Sequence, residues 1–377
     1  MKGAYVHIPF CEHICYYCDF NKYFRKNQPV DAYLDALNTE IRKVAETGEQ
    51  QDLETLFVGG GTPTALSANQ MKRLFETLRT HLYSEKIREW TVEANPENLD
   101  EEKLKIMKEA GVTRLSIGVQ TFDDDLLKKI GRAHDRSAVF AGVRAARRAG
   151  FTNLSIDLMF GLPGQTMEQL SSSLDAAMAI NPEHVSIYSL QVEPRTIFYN
   201  RMKQGRLKLP GEDLEAEMFD VLIDYLESRG LLQYEISNFA RPGYESRHNL
   251  LYWNNEEYYG FGAGAHGYVN KKRIVNAGAV KGYIRRIREN GDATIAAHPV
   301  TLKEQIEEEM FLGLRKRSGV DKEIFYHKFS QTVDELFHHQ LIELKEKGLI
   351  LEDRNKIALT KKGLFLGNEV FQSFLLN

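Results

Sequence analysis

The chain has 377 residues, 42% of them hydrophobic, which is enough apolar material for one large domain and a small one. A formal net charge of -4 argues against a protein built to grip nucleic acid, and no apolar run reaches the length of a membrane span. The first residues lack a basic segment followed by an apolar one, so the sequence predicts a cytoplasmic protein.

From the N-terminus to about residue 190, short β-branched runs alternate with amphipathic helical stretches. This alternation predicts an α/β fold with a parallel sheet and right-handed crossovers. Six strands are too few for a closed eight-stranded barrel. The predicted strands are 4–8, 53–58, 89–93, 114–119, 154–159 and 185–190, and the predicted helices between them are 30–44, 69–82, 101–110, 137–149 and 167–180.

The three cysteines of the chain, Cys11, Cys15 and Cys18, all follow the first predicted strand within eight residues. An odd number of crowded cysteines is a poor disulfide framework. A zinc site would need a fourth ligand, and His13 lies between the first two cysteines, where binding the same ion would be strained. Three thiolates at C-x3-C-x2-C instead favour a [4Fe-4S] cluster in which one iron has no protein ligand.

Each predicted strand ends in residues that a purely structural core would not need. The carboxyl ends of barrel strands converge on one mouth, so these residues are expected to line one pocket. The glycines supply unhindered backbone groups, although a tight turn without a ligand is the alternative. After the cysteine loop, the successive strand ends carry Gly59–Gly61 with Thr62, then Glu93, Gln120, Asp157 and Gln191.

The cysteine spacing resembles that of radical SAM enzymes. The preceding Tyr5-Val6-His7-Ile8-Pro9-Phe10 narrows the resemblance to the HemN/HemW family, whose members handle coproporphyrinogen or heme. The resemblance implies a partial (β/α)6 barrel. It also implies that S-adenosylmethionine chelates the open iron through its amino and carboxylate groups, and that an electron donor reduces the cluster to cleave this cofactor.

The resemblance further implies which residues bind S-adenosylmethionine. The glycine motif would contact its methionine end, Glu93 its ammonium or ribose, and Arg132 its carboxylate. Taken singly, each polar residue is more often a loop residue or a cap, and a tyrosine beside a cluster can serve only as a shield. The implied set is Tyr5, Tyr17, Gly60, Gly61, Thr62, Glu93, Gln120, Arg132, Asp157 and Gln191.

Residues 196–295 are less regular, with a predicted helix at 213–227 and a strand at 233–240. His248, Tyr252 and Trp253 match an H-N-x-x-Y-W motif that the resemblance links to heme. An imidazole can ligate iron, and the two aromatic rings offer flat apolar surface. The alternative is a buried, hydrogen-bonded histidine in a strand–turn with aromatic core neighbours. In the glycine-rich run 260–267, His266 is a second candidate axial ligand beside a loop that a flat ligand could approach.

From about residue 300, helices and a short hairpin resemble a winged-helix module of the HemN C-terminal type. Its acidic and basic residues nearly balance, so a phosphate-binding surface is not indicated. We predict a lid or docking domain and divide the chain into 1–195, 196–295 and 296–377. The predicted elements are helices 302–314, 333–346 and 361–374 and a hairpin of 348–351 with 357–359.

Two departures separate the sequence from decarboxylating HemN enzymes. Those typically read C-x3-C-x2-C-x-C, where this chain has Phe20, and they carry a long arm before the cysteines, where Cys11 leaves little room. The favoured hypothesis is therefore a HemW-type heme chaperone that passes heme to an acceptor, such as a membrane-bound respiratory protein.

Two other functions are considered. The first is an oxygen-independent coproporphyrinogen III oxidase. The second is a DNA-binding redox regulator, which lacks the basic recognition helix it would need, so no nucleic acid partner is predicted.

Overall fold

The computed structural model describes residues 1–48 and 52–376 of the chain. The strands of this part, in chain order, are β1 (Gly3–Ile8), β2 (Phe10–Cys11), β3 (Tyr23–Phe24), β4 (Thr55–Gly60), β5 (Glu89–Ala94), β6 (Arg114–Gln120), β7 (Leu154–Phe160), β8 (His184–Ser189), β9 (Leu232–Glu235), β10 (Asn238–Ala240), β11 (Tyr258–Phe261), β12 (His266–Val269), β13 (Lys272–Asn276), β14 (Thr294–Pro299), β15 (Val320–Asp321), β16 (Ile350–Glu352) and β17 (Lys356–Leu359).

The helices follow the strands in regular alternation only over the first half of the chain. In chain order they are α1 (Val30–Ala45), α2 (Ala68–His81), α3 (Glu101–Ala110), α4 (Asp124–Ile130), α5 (Arg136–Arg148), α6 (Met167–Ala179), α7 (Ile197–Lys203), α8 (Glu212–Ser228), α9 (Arg247–Trp253), α10 (Val280–Asn290), α11 (Leu302–Leu314), α12 (Lys322–Phe329), α13 (Val333–Glu346), α14 (Lys361–Phe365) and α15 (Gly367–Ser373). None of the helices in the described ranges is both long and apolar enough to cross a membrane.

One twelve-stranded sheet forms the framework, in the order β14-β13-β12-β11-β1-β4-β5-β6-β7-β8-β10-β9. Its centre, β1 and β4 to β8, consists of the six predicted strands, each parallel to its neighbour. Apolar side chains of this sheet and its flanking helices form the main hydrophobic core. The predicted α/β architecture is therefore present, with the carboxyl ends of six parallel strands at one edge.

The segment that the sequence left irregular extends this sheet at both edges. β11 adds to β1 as a further parallel strand, and β12, β13 and β14 continue antiparallel from it. At the other edge, β10 and β9 follow β8 in antiparallel order. The single strand predicted at 233–240 is therefore two strands separated by a turn. The helix predicted at 361–374 is likewise divided, at Leu366, into α14 and α15.

Local capping explains why several helix bounds agree with the prediction. The Asp100 side chain accepts a hydrogen bond from the Lys103 N–H at the start of α3, and Gly111, with φ of 101°, ends it in the left-handed region. Ser67 and Gln70 form a capping box at the start of α2. These signals are local, so the sequence alone reveals them.

A small apolar cluster beside the mouth of the sheet supports the cysteine loop. It joins α4, α7 and the ends of β7 and β8, and Tyr16 and Tyr17 pack against it. The Tyr16 N–H donates to the Ile130 carbonyl at 3.0 Å, and the Phe198 N–H donates to the Tyr16 carbonyl at 3.0 Å. Two helices that the sequence reading did not predict, α4 and α7, therefore position this loop.

Residues 306–374 have a hydrophobic core of their own, to which the small β15-β17-β16 sheet contributes. This unit is attached to the edge of the large sheet by backbone hydrogen bonds. The Ile236 N–H donates to the Arg315 carbonyl at 3.2 Å, and the Arg317 N–H donates to the Tyr234 carbonyl at 3.0 Å. The guanidinium of Arg315 also lies 4.3 Å from the centre of the Trp253 ring.

Glu40 of α1 ties together three elements of the sheet extension. Its carboxylate accepts hydrogen bonds from the Gly262 N–H at 2.9 Å, the Asn276 amide at 2.7 Å and the Tyr283 hydroxyl at 2.6 Å. Burial raises the pKa of Glu40 to about 7. The folded state therefore binds a proton between pH 4.5 and 7 that the unfolded chain releases, so this group makes the protein less stable as the pH rises through that window.

Replacing Glu40 by glutamine should remove this pH dependence. Urea unfolding at pH 5, 6, 7 and 8 should show the stability of the native chain falling relative to E40Q between pH 5 and 7, by roughly 1–3 kcal/mol. Below pH 5 the glutamine variant should be the less stable of the two, because its NH2 group cannot accept a hydrogen bond. A difference that stays constant over the four pH values would contradict the assignment.

Candidate functional site

A cavity of about 390 Å³ lies at the carboxyl ends of the parallel strands. The three cysteines line it together with nine of the ten residues predicted for S-adenosylmethionine. Those nine are Tyr17, Gly60, Gly61, Thr62, Glu93, Gln120, Arg132, Asp157 and Gln191. The residues at successive strand ends therefore do share one pocket.

The cysteine loop is closed at its base by the short pair of β2 and β3. Phe10 pairs with Tyr23 and Cys11 with Phe24, and the Arg25 N–H donates to the Cys11 carbonyl at 2.8 Å. This pairing holds the two ends of the loop together over the strand ends. It fixes where Cys11 leaves the sheet.

Two side chains donate hydrogen bonds to the cysteine sulfurs. The Thr62 hydroxyl lies 3.5 Å from Cys11 Sγ, and Arg132 Nη1 lies 3.4 Å from Cys15 Sγ. Donors and a positive charge stabilise a thiolate, the form that binds metal. Burial acts the other way and raises the pKa of Cys18 to about 11. Metal binding at Cys18 would therefore displace a proton from its thiol.

The glycines of β4 and its turn leave room that a side chain would fill. A Cβ at Gly61 would lie 2.9 Å from Cys11 Sγ, and one at Gly60, whose φ is 118°, would lie 2.6 Å from His7. The Gly60 N–H donates to Glu93 Oε2 at 3.0 Å. Backbone groups at this strand end therefore stand beside the sulfurs without side-chain cover.

The donor set fits a cluster better than a single ion. Nowhere in residues 1–48 and 52–376 do three His, Cys, Asp or Glu side chains converge as a mononuclear site requires. In a cluster, each of the three thiolates binds a different iron, so the sulfurs need not meet at one point. The three lining cysteines, with two sulfur donors and the adjoining glycines, suit that arrangement.

Two carboxylates lie deeper in the cavity. Burial raises the pKa of Glu93 to about 8, with a further contribution from the negative charge of Asp157. Asp157 accepts hydrogen bonds from Ser116 at 2.9 and 3.0 Å and from Ser155 at 3.1 Å, yet burial still raises its pKa. These groups favour a ligand that brings positive charge or hydroxyl donors.

Arg132 connects the cysteine loop with two strand ends. Besides Cys15, its guanidinium donates to Asn95 Oδ1 at 2.9 Å and to the Gly118 carbonyl at 2.5 Å, while its buried Nε has no protein partner. Gln120 lies close by, with φ of 69°. A ligand carboxylate is the natural partner for such a guanidinium.

Tyr5, His248 and Tyr252 lie elsewhere, around a second cavity of about 220 Å³. His248 is buried on α9, and its ring hydrogen-bonds to Thr55 Oγ1 and to the Tyr252 hydroxyl, both at 2.8 Å. Thr55 begins β4, so this ring lies at the opposite end of the strand from the cysteines. Burial lowers the pKa of His248 to about 3.

The remaining predicted heme residues are separate again. The Trp253 ring packs beneath Arg315, and its buried Nε1 has no protein partner. His266 is exposed on β12. The motif is thus helical rather than a strand–turn, and the structure does not bring its residues together with His266 around one cavity.

Sequence reasoning missed several lining residues. Asn95, Ser116 and Tyr188 contribute to the first cavity. The alternation of polar residues at 184, 186 and 188 in β8 was a usable signal, because alternate residues of a strand face the same side. Asn95 lies just beyond β5 and offered no comparable signal.

Comparison with known proteins identifies the family to which the chain belongs. Residues 5–177 match the Radical SAM superfamily, and residues 300–366 match the HemN C-terminal domain. The chain is 56% identical to the heme chaperone HemW of Bacillus subtilis, an alignment that covers 100% of this chain and 99% of that protein. It is 46% identical to HemW of Lactococcus lactis, with 100% and 98% covered. The chain belongs to the HemW family. The HemN/HemW family that was predicted from the cysteine spacing and the preceding Tyr5–Phe10 segment is thereby confirmed.

The fold has a solved counterpart outside the HemW family. Coproporphyrinogen III oxidase (HemN) from Escherichia coli, a radical SAM enzyme, superposes with a TM-score of 0.86 at 27% identity, covering 99% of this chain and 90% of that one. The predicted fold class is confirmed. Membership of the Radical SAM superfamily implies a [4Fe-4S] cluster and S-adenosylmethionine for HemW-family proteins.

Replacing Gly61 by alanine should impair cluster binding. The added Cβ would lie 2.9 Å from Cys11 Sγ and 3.0 Å from the Phe10 backbone, which cannot move without disturbing β2. Iron and sulfide per chain after anaerobic reconstitution should fall at least about threefold, since a misplacement of roughly 1 Å is enough to spoil a preorganised site.

Gly282 provides the control for that substitution. A Cβ there would be in ordinary contact, 3.7 Å from Ala279, so the alanine variant should bind as much iron as the native chain. Full iron content in G61A would show that the close approach of this glycine to Cys11 is unimportant for the cluster.

Proposed function

We propose that this HemW-family chain binds a [4Fe-4S] cluster and S-adenosylmethionine in the first cavity and carries heme to an acceptor protein. The observation that supports it most is the gathering of three thiols and nine predicted cofactor residues at one mouth. Near-full-length relatives named heme chaperones supply the heme part of the proposal.

The chain's own residues have separable roles in this proposal. Cys11, Cys15 and Cys18 would hold the cluster, which supplies a redox centre with one iron open to a small-molecule ligand. Arg132 would bind the carboxylate of S-adenosylmethionine, and Glu93 its ammonium. A bound ammonium would favour the charged form of Glu93 and lower the pKa that burial has raised.

Asp157, with Gln120 and Gln191, would bind hydroxyl and ring groups of the same cofactor. The hydroxyls of Ser116 and Ser155, which both donate to it, fix the Asp157 carboxylate in one orientation. Tyr17, between Cys15 and Cys18, would shield the cluster from water. Tyr5 is half-buried in the second cavity and its hydroxyl hydrogen-bonds to His7 Nδ1 at 2.9 Å, so its contribution would be indirect.

The heme residues of the proposal differ in what binding would require. His266 is exposed, so heme could reach its ring from solvent. His248 would first have to give up its bonds to Thr55 and Tyr252 and leave its buried position at the opposite end of β4 from the cysteines. We therefore place His266 first as axial ligand, with the Tyr252 and Trp253 rings available only after α9 moves.

Heme titration of three histidine variants tests this order. H266A should weaken heme binding about tenfold or more and shift the Soret band, because an axial ligand is lost. H248A should instead lower the free energy of unfolding by roughly 2–3 kcal/mol, because Thr55 and Tyr252 lose their partner in a buried site. H338A, which changes an exposed histidine of α13, is the control.

Heme binding that is unchanged in both H266A and H248A would remove both histidines from the assignment. A Soret shift in H248A alone, with unfolding unaffected, would reverse their order.

The likeness to the Escherichia coli oxidase supports a second candidate function, oxidative decarboxylation of coproporphyrinogen III. Phe20, in the position where the decarboxylating enzymes have a further cysteine, counts against it. Anaerobic incubation of the reconstituted protein with coproporphyrinogen III, S-adenosylmethionine and a reductant should give no protoporphyrinogen. That oxidase, run in parallel, is the positive control, and turnover at a comparable rate would establish the second function instead.

A further inference from the structure

Apart from His266, the glycine-rich run 260–267 has no role in the function proposed so far. Two of its four glycines make room for polar side chains of the protein itself. A Cβ at Gly262, where φ is 97°, would lie 2.5 Å from the Tyr33 hydroxyl. A Cβ at Gly264, where φ is 75°, would lie 2.5 Å from Asn21 Nδ2. The loop is thus shaped to receive residues from the start of the chain.

Asn21 uses both hydrogens of its side-chain amide on this part of the fold. Nδ2 donates to the Ala263 carbonyl at 2.8 Å and to the Gly278 carbonyl at 3.0 Å. The backbone carbonyl of Asn21 hydrogen-bonds to His7 Nε2 at 2.7 Å. Asn21 lies three residues after Cys18, so these bonds fix the point at which the cysteine loop returns to the sheet.

The surroundings of Asn21 are themselves anchored. The Tyr33 hydroxyl donates to the His7 carbonyl at 2.6 Å and accepts from the Ala263 N–H at 3.1 Å. Glu40 holds the Gly262 N–H. The Tyr23 hydroxyl donates to the Gly278 carbonyl at 3.2 Å. The loop that receives Asn21 is therefore a fixed platform rather than a free turn.

The three cysteines differ in how they are held. Cys11 belongs to β2 and has Thr62 beside its sulfur, and Cys15 has Arg132. Cys18 is followed by the exposed residues Asp19 and Phe20. Lys22 Nζ donates to the Cys18 carbonyl, and Asn21 holds the backbone next to that lysine. The position of Cys18 thus depends on its neighbours in the chain.

We propose that Asn21, docked on residues 262–264 and Gly278, is a positioning residue that fixes Cys18 relative to the other two cysteines. This inference rests on the proposed cluster and assigns the glycine-rich run to supporting the cysteine loop. Without the Asn21 bonds, the segment from Cys18 to Lys22 would sample more conformations, and assembling three ligands would carry a larger entropic cost.

Two substitutions test the contact between Asn21 and the glycine-rich run, one on each side of it. N21A removes both donors, and G264A pushes the Asn21 amide away without altering it. In both, iron and sulfide per chain after anaerobic reconstitution should fall, and a ferrous chelator should remove the bound iron about tenfold faster. The EPR spectrum of the reduced cluster should change in both variants, with and without S-adenosylmethionine.

Matched controls separate this role from general destabilisation. G243A adds a Cβ at a similar φ, 88°, with nothing within 4 Å, and N238A removes a buried asparagine that contacts Glu235, away from the cysteine loop. Both should retain the iron content, chelation rate and EPR spectrum of the native chain. Circular dichroism of the metal-free proteins should show all four variants folded.

The possible results separate the positioning role of Asn21 from the proposed cluster binding on which it rests. A native chain that takes up no cluster would overturn both. If the native chain takes up a cluster and N21A and G264A match it in iron content, chelation rate and EPR spectrum, only the positioning role of Asn21 is overturned. Equal loss of iron in G243A and N238A would likewise show that Asn21 has no special position.

Discussion

The structure depends on holding an irregular loop, which carries three thiols, over the converging ends of parallel strands. Parallel strands bring their carboxyl ends to one edge because they all run in the same direction. A loop of this length, in contrast, has no regular hydrogen bonding of its own. The chain compensates by attaching the loop on every side. The β2–β3 pair closes its base, Ile130 and Phe198 bond to Tyr16, and Arg132 reaches the sulfur of Cys15.

The parts of this arrangement that follow from local pattern could be predicted from the sequence. The six strands, the capped helices and the polar residues at strand ends are each encoded within a few neighbouring residues. Glu93, Gln120 and Asp157 come together because parallel strands have one polarity, not because of any signal between them. Tyr5 was assigned to the cofactor by the family resemblance and not by its position at a strand end, and its side chain lines the second cavity.

The features that the sequence did not predict depend on residues that are distant in the chain. β11 is short, and it becomes a strand because it pairs with β1, which lies more than 250 residues earlier in the chain. Tyr258, for example, pairs with Gly3. The H-N-x-x-Y-W segment is a helix because Glu89 accepts the His248 N–H at 3.1 Å and Ser246 caps its first turn. Gly262 and Gly264 make room for Tyr33 and Asn21, which are more than 200 residues away in the chain and leave no local sequence signal.

The two cavities share a wall made of Glu93, Ser116, Asp157 and Tyr188. Burial raises the pKa values of Tyr5 and Tyr252 in the second cavity, and the negative charge of Glu93 raises both further. A cationic ligand that bound beside Glu93 in the first cavity would therefore also change the electrostatic potential at Tyr5 and Tyr252 in the second cavity. The Glu93 carboxylate lies in the wall of both cavities, so a change in its charge would act on groups on either side of that wall.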